Sequence, residues 1–212
     1  MREKNLFLPL FLTVLLITVN GCKYPLLLLS AIAAHETAHI IAAAAAGAKI
    51  SFRRFLPVGL VLEYDCHLIH PAKEALIASA GIAANGATAV GCAIFGNLND
   101  DTTFFLFSAN AVLGLINFLP IIGFDGAVIL ERLLALFFGP LTAARAVSSV
   151  SDCGAVIFTL FSIWFNIRIG VNISMIVLSV YLDFMLLTNM RGTAHNPSAR
   201  ALKYKKQSSV FL

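Results

Sequence analysis

The sequence predicts an all-α polytopic membrane protein of about six transmembrane helices, with a short membrane-edge β-hairpin after the second. Three observations carry that expectation. Hydrophobic residues make up 59% of the 212-residue chain and charged residues only 12%, where a soluble domain carries about 25%. The apolar residues are gathered into uncharged blocks, each near the ~20 residues that cross a bilayer. The basic residues are also sorted: with six spans, 13 of the 15 Lys and Arg fall on one side.

Residues 6–21 form the first block, after a charged start at Arg2, Glu3 and Lys4. A secretory signal begins this way, but no small-residue cleavage site follows, so the block is read as a retained span. Residues 25–46 form the second, interrupted only by His35, Glu36 and His39. Residues 49–73 differ in kind: β-branched and aromatic residues, Pro57, Gly59 and several charges predict short strands and turns at the membrane edge. The third block is 75–96, followed by a loop at Asp100 and Asp101, and the fourth is 103–124, ending at Asp125.

Residues 133–144 are apolar but short, and are expected to be interfacial or to extend the fourth helix. Residues 152–167 and 170–189 read as a helical hairpin with Asn166 and Arg168 near its tip. Residues 1–190 therefore form one intramembrane domain, and 191–212 a basic tail. Only Lys23 and Arg168 lie on the side opposite the termini, and short cytoplasmic loops attract this bias, which places both termini in the cytoplasm. The net charge of +4 is thereby accounted for by loops, and no nucleic-acid partner is implied. Cys22, Cys66, Cys92 and Cys153 contain no CxxC pair and read as small apolar residues. His67, His70 and His195 fall in loops or the tail, and Asp183 interrupts the last span, facing a polar partner such as Asn166 or Asn172.

Ionisable groups at membrane depth are costly and mark function by default. His35 and His39 are four residues apart, so their imidazoles leave one face of the helix and can share a metal. Glu36 sits about 100° round from His35, placed to act on water beside the metal without ligating it. Neutral imidazole suits Zn²⁺, and two histidines leave room for a third protein ligand. Asp125 is the candidate, because Pro120, Gly123 and Gly126 would break the fourth helix beside it. Taken alone, Asp125 also reads as a helix cap at the interface.

With these residues the chain resembles the site-2 protease family of intramembrane metalloproteases. His35-Glu36-Thr37-Ala38-His39 matches its H-E-x-x-H, and Asn117-Phe118-Leu119-Pro120 with Phe124-Asp125-Gly126 matches its later N-x-x-P-x-x-x-L-D-G. Gly47-Ala48-Lys49 and Leu56-Pro57-Val58-Gly59 match the strand segment after the zinc helix, and Ala80-Gly81-Ile82-Ala83-Ala84-Asn85 the A-G-P-x-x-N motif. The layout is most similar to the subgroup of the stage IV sporulation protein FB, which processes a sporulation sigma-factor precursor.

The resemblance implies one Zn²⁺ held by His35, His39 and Asp125, with Glu36 as catalytic base and Asn85 and Asn117 near the substrate or oxyanion. It implies a membrane-embedded or membrane-associated protein substrate, membrane regulators, and residence in a bacterial cell membrane. Ala38, Ile82, Phe124 and Ala127 depart from the usual Gly, Pro, Leu and Gly, but none removes a ligand or the base. Neither a PDZ insertion nor a nucleotide-sensing CBS domain is present, so regulation is not expected to follow the sporulation relatives. The segment 50–63 could pair with an unwound substrate as an edge strand, or simply lie on the surface. A non-proteolytic membrane metal-binding or transport protein is the alternative, and Glu36 separates the two, since transport has no need of a non-ligating carboxylate there. A zincin with a cytosolic catalytic domain would need a later glutamate ligand, and Glu131 lies beyond Asp125.

Overall fold

A computed structural model describes residues 23–48, 50–56, 59–64 and 70–191. The expected first span, His67, His195 and the basic tail lie outside the described residues. The chain divides into two compact units, Met1–Asn117 and Phe118–Leu212.

The first unit contains α1 (Lys23–Ala45), a hairpin of β1 (Ile50–Leu56) and β2 (Gly59–Tyr64), then α2 (Pro71–Phe95) and α3 (Asp101–Phe118). The hairpin is antiparallel, with Ile50 opposite Tyr64 and Leu56 opposite Gly59, and its register slips between Phe52 and Arg54. Helix α1 packs along α2 and touches the hairpin. The start of α2 is set locally. His70 is extended and its side chain accepts the Ala72 amide at 3.3 Å, while Pro71 takes the first helical position, where its missing N–H costs nothing. His70 is therefore a helix cap rather than a purely solvated loop residue. Asp100 does the same for α3, accepting the Thr103 amide at 2.9 Å. That hydrogen bond, aided by the Thr103 hydroxyl and the charge of Lys23, holds its carboxyl below the ordinary 3.8 against a weaker opposing effect of burial.

The second unit contains α4 (Asp125–Phe138), α5 (Pro140–Arg168) and α6 (Ile173–Arg191), with α4 packed on α5 and α5 on α6. Two boundaries differ from the sequence expectation. The sequence places the end of the fourth span at 124, but α3 stops at Phe118, and 119–124 is non-helical before α4 begins. Pro120 has no amide to donate and disfavours helix at Leu119, and Gly123 takes φ +109, open to glycine at little cost. The segment 133–144 is not a single element. Gly139, at φ +78, divides it, and α5 starts at Pro140 rather than at residue 152. Arg145 and Asp152, which hid this helix from a count of apolar residues, lie inside it, the first exposed and the second half-buried. Asp183 of α6 accepts the Thr159 hydroxyl of α5 at 3.0 Å, so its partner is not Asn166 or Asn172.

Among the described residues, four helices are long and apolar enough to cross a membrane: Lys23–Ala45, Pro71–Phe95, Asp101–Phe118 and Pro140–Arg168. Helix α6 adds a shorter apolar stretch, Met175–Phe184. The distribution of side chains is the reverse of a water-soluble helical protein. Outward positions carry Leu76, Ile94, Phe95 and Leu115, all more exposed than buried, while the buried residues of the first unit include Ala31, Ala43, Ala75, Ala78 and Ala89 together with His35, His39 and Asn85, with Ile77 the one large aliphatic among those described. Lipid tails gain nothing from excluding leucine, so small residues that let backbones approach, and polar groups that bond between helices, take the interior.

Candidate metal centre

His35 and His39 both lie on the buried face of α1, 4% and 8% exposed. One turn apart on one helix, their rings meet edge to face with centroids 4.7 Å apart, and the two Nε2 atoms stand 3.1 Å from each other. What holds them is α2. Three positions on one face of that helix, each a turn from the next, serve the pair: Ile77, Gly81 and Asn85. The carbonyl of Ile77 lies 2.8 Å from His39 Nδ1. Asn85 Nδ2 lies 2.9 Å from His35 Nδ1. Between them Gly81 supplies only space, since a Cβ there would stand 2.6 Å from His35 Cε1, 2.7 Å from its Nε2, and also against His39 Nε2. Helix α3 closes the far side of Asn85 at Gly114, where a Cβ would be 3.4 Å from the Asn85 Cβ.

The hydrogen bonds fix which nitrogens face one another. A carbonyl only accepts, so His39 Nδ1 carries its proton and Nε2 presents a lone pair. With neutral rings the donors run from Asn85 Nδ2 to His35 Nδ1, from His35 Nε2 to His39 Nε2, and from His39 Nδ1 to Ile77 O. This arrangement fits a shared ion. Two nitrogens at the ~2.05 Å of zinc–imidazole bonds, with tetrahedral angles, stand about 3.3 Å apart, close to the 3.1 Å between the rings. An imidazole ligating through Nε2 gives its Nδ1 proton to an acceptor. Ile77 O is that acceptor for His39. For His35 the acceptor would be Asn85 Oδ1, which is buried with no hydrogen-bond partner among the described residues, once the amide turns over to present it in place of Nδ2.

No family profile matches the chain, and no curated protein matches it. Among solved structures, the chain is similar to the "Site-2 Protease from Methanocaldococcus jannaschii", with TM-score 0.64 and 25% sequence identity over 84% of each chain. The fold is that of a site-2 protease.

Within this site-2 protease fold, the other expected site residues are placed as follows. Glu36 follows His35 on α1 and is half-buried. Asp125 belongs to the second unit, in the first turn of α4, where acidic side chains suit the helix dipole, and it too is half-buried. The chain doubles back tightly beside it: a Cβ on Gly126 would collide with the carbonyls of Phe118 and Leu119. Asn117 donates from Nδ2 to Leu113 O of its own helix at 3.0 Å. Asn85 is engaged with His35. Of the two asparagines, then, one is tied to an imidazole and the other to backbone.

The sequence gives no sign of Ile77, because it acts through its carbonyl. Gly81 lies within the Ala80–Asn85 motif match, but the motif alone assigns it no role; its spacing of four residues from Asn85, set beside the spacing of the two histidines, is the signal for one.

Proposed function

We propose that the chain is a zinc-dependent intramembrane endopeptidase of the site-2 protease type, cutting a membrane-embedded or membrane-associated protein. One observation carries the reading: two buried imidazoles in an apolar span, with facing Nε2 atoms and both Nδ1 atoms engaged by a neighbouring helix. Such a pair is costly at membrane depth unless it binds something. The Asp125 carboxylate is taken as the third donor beside the two imidazoles, since three protein ligands are what a catalytic zinc site uses, with the remaining position left for water or substrate.

When bound, the ion supplies Lewis acidity, polarising a scissile carbonyl and making water a nucleophile near neutral pH. The chain's own residues do the rest. Glu36 accepts the proton of the attacking water and returns it to the leaving nitrogen, a role that needs a carboxylate near the ligands and not among them. Asn85 and Ile77 orient the imidazoles. Asn117, in the segment before Pro120, remains the candidate for contact with the substrate backbone. The apolar surroundings strengthen each of these electrostatic contacts relative to water.

A substrate helix must unwind before its carbonyls can react, and its freed backbone needs new partners. An edge of the β1–β2 hairpin is suited to pair with it. The six-span topology with both termini in the cytoplasm rests on the sorting of Lys and Arg, and opens the site to cytoplasmic water. A sporulation sigma-factor precursor is the substrate that the subgroup resemblance implies.

The test is co-expression of wild type and Glu36→Gln with a tagged sigma-factor precursor, comparing fragments of this and other membrane proteins by mass spectrometry. Fragments present only with the wild type, while Glu36→Gln retains zinc, support the protease. Equal cleavage by Glu36→Gln removes Glu36 as base, and zinc binding with no fragment from any membrane protein favours metal binding or transport.

A further inference from the structure

The segment that delivers Asp125 is not helical, so something other than helix hydrogen bonding must set its course. Its internal bonds are few: Ile121 N donates to Leu119 O at 2.8 Å, Phe124 N to Ile121 O at 3.0 Å, and Ala127 N to Phe124 O at 3.3 Å. The amide of Ile122 has a different partner. It donates to the hydroxyl oxygen of Ser151 on α5 at 2.8 Å, across 29 residues of sequence. Ser151 is 4% exposed, in a region where an amide without a partner would be costly. One turn further along α5, Gly154 receives the Ile121 side chain: a Cβ there would be 3.1 Å from Ile121 Cγ1 and 3.4 Å from Cδ1. Ile121 and Phe124 are themselves buried, at 4% and 3% exposure. The loop before Asp125 is thus held by one hydroxyl and by one gap where a side chain would otherwise be.

We infer that Ser151, with Gly154, is a positioning residue for Asp125: α5 seats the 119–124 loop and so fixes where the Asp125 carboxylate is presented. The inference rests on the proposal that Asp125 ligates the metal. Ser151 has no ligand to offer beyond its hydroxyl and acts only through the Ile122 amide. The Asp125 backbone begins three residues beyond that anchor, too short a distance for the loop to absorb a displacement before the carboxylate feels it. Helix α5, which carries none of the expected site residues, thereby becomes part of the metal centre's support.

The experiment measures zinc dissociation constants by chelator competition on the full chain in detergent, together with backbone amide exchange over 119–127 and thermal unfolding. Ser151→Ala is expected to weaken zinc by about 10- to 100-fold, the range seen when the support of a metal ligand is removed, and to speed exchange of the Ile122 amide. Ser151→Thr keeps the hydroxyl and is expected to retain most of the affinity. Gly154→Ala presses on Ile121 and is expected to weaken zinc without speeding exchange at Ile122. Tight zinc binding by Ser151→Ala, in a protein where Asp125→Ala binds zinc weakly, overturns the Ser151 inference alone. Unchanged zinc affinity in Asp125→Ala overturns the ligand assignment on which it rests. Should Ser151→Ala fail to fold, Ser151→Thr and Gly154→Ala decide: a loss of affinity in Ser151→Thr as large as that in Asp125→Ala, or none in Gly154→Ala, counts against the seat.

Discussion

Replacing Gly81 with alanine sets two effects against each other that the structure allows to be weighed. In a helix interior the change removes a flexible residue and stabilises by about 0.5–1 kcal/mol. Against this, the new methyl would stand 2.6 and 2.7 Å from His35 Cε1 and Nε2, where ordinary contacts lie at ~3.5 Å or more. The rings must retreat by roughly 1 Å or α2 must move away, and overpacking of this kind costs about 1–3 kcal/mol. The atoms displaced are the Nε2 donors themselves, so the expected loss appears in metal binding more than in folding. We expect Gly81→Ala to weaken zinc by at least about tenfold, equivalent to ~1.4 kcal/mol. The same helix supplies its own controls, since at Gly86 and Gly91 a Cβ meets nothing within 4 Å. Gly86→Ala and Gly91→Ala should leave zinc affinity unchanged and raise thermal stability slightly. Chelator competition on the purified, detergent-solubilised variants reads all three. Equal zinc affinity for Gly81→Ala and Gly86→Ala would falsify the claim that α2 frames the imidazole pair.

Glu36→Gln should keep zinc and lower cleavage by about 10²- to 10⁴-fold, the usual contribution of a general acid–base group; a smaller loss in a single-turnover assay would move the base elsewhere. Asn85→Ala should weaken zinc by about 10- to 100-fold through loss of the His35 partner, while Asn85→Asp, which keeps an acceptor beside Nδ1, should restore much of it; identical affinities for the two would remove Asn85 from this role. The Asp100 cap predicts a pH effect of definite sign. Its carboxyl is held below 3.8 in the folded chain, so its contribution to α3 is fully present above about pH 4 and fades as pH falls through the lowered value. Asp100→Asn retains a capping oxygen without the charge, and its thermal unfolding between pH 6 and 3 should be flatter than wild type; parallel curves would contradict the assignment.

The local signals in the sequence were those with a strict spacing. His35 and His39 four residues apart define a helix face unaided, and Pro120 with Gly123 indicates a break where α3 gives way to non-helical chain. Less was visible where a boundary depends on one backbone angle. Gly139 separates α4 from α5, but a glycine within an apolar run does not reveal its φ. The long α5 was concealed because Arg145 and Asp152 interrupt the hydrophobic count, although a helix can turn a charge outward or hold it near its end. Asn85 was recognisable as a motif residue, yet its engagement with His35 depends on the register of two packed helices, which one sequence does not display. The Thr159 partner of Asp183 was hidden for the same reason.

The three stations on α2 make that helix a ruler. Ile77, Gly81 and Asn85 are read against His39 and His35 at one-turn intervals, so a single inserted residue between any two would rotate the next station by about 100° and shift it by about 1.5 Å along the axis. A carbonyl, a gap and an amide cannot then serve the pair together. The centre therefore tolerates changes of side chain on the outer face of α2 far better than changes of its length. Its signature is a pair of matched intervals on two helices, four residues on one and eight on the other, rather than five letters on one.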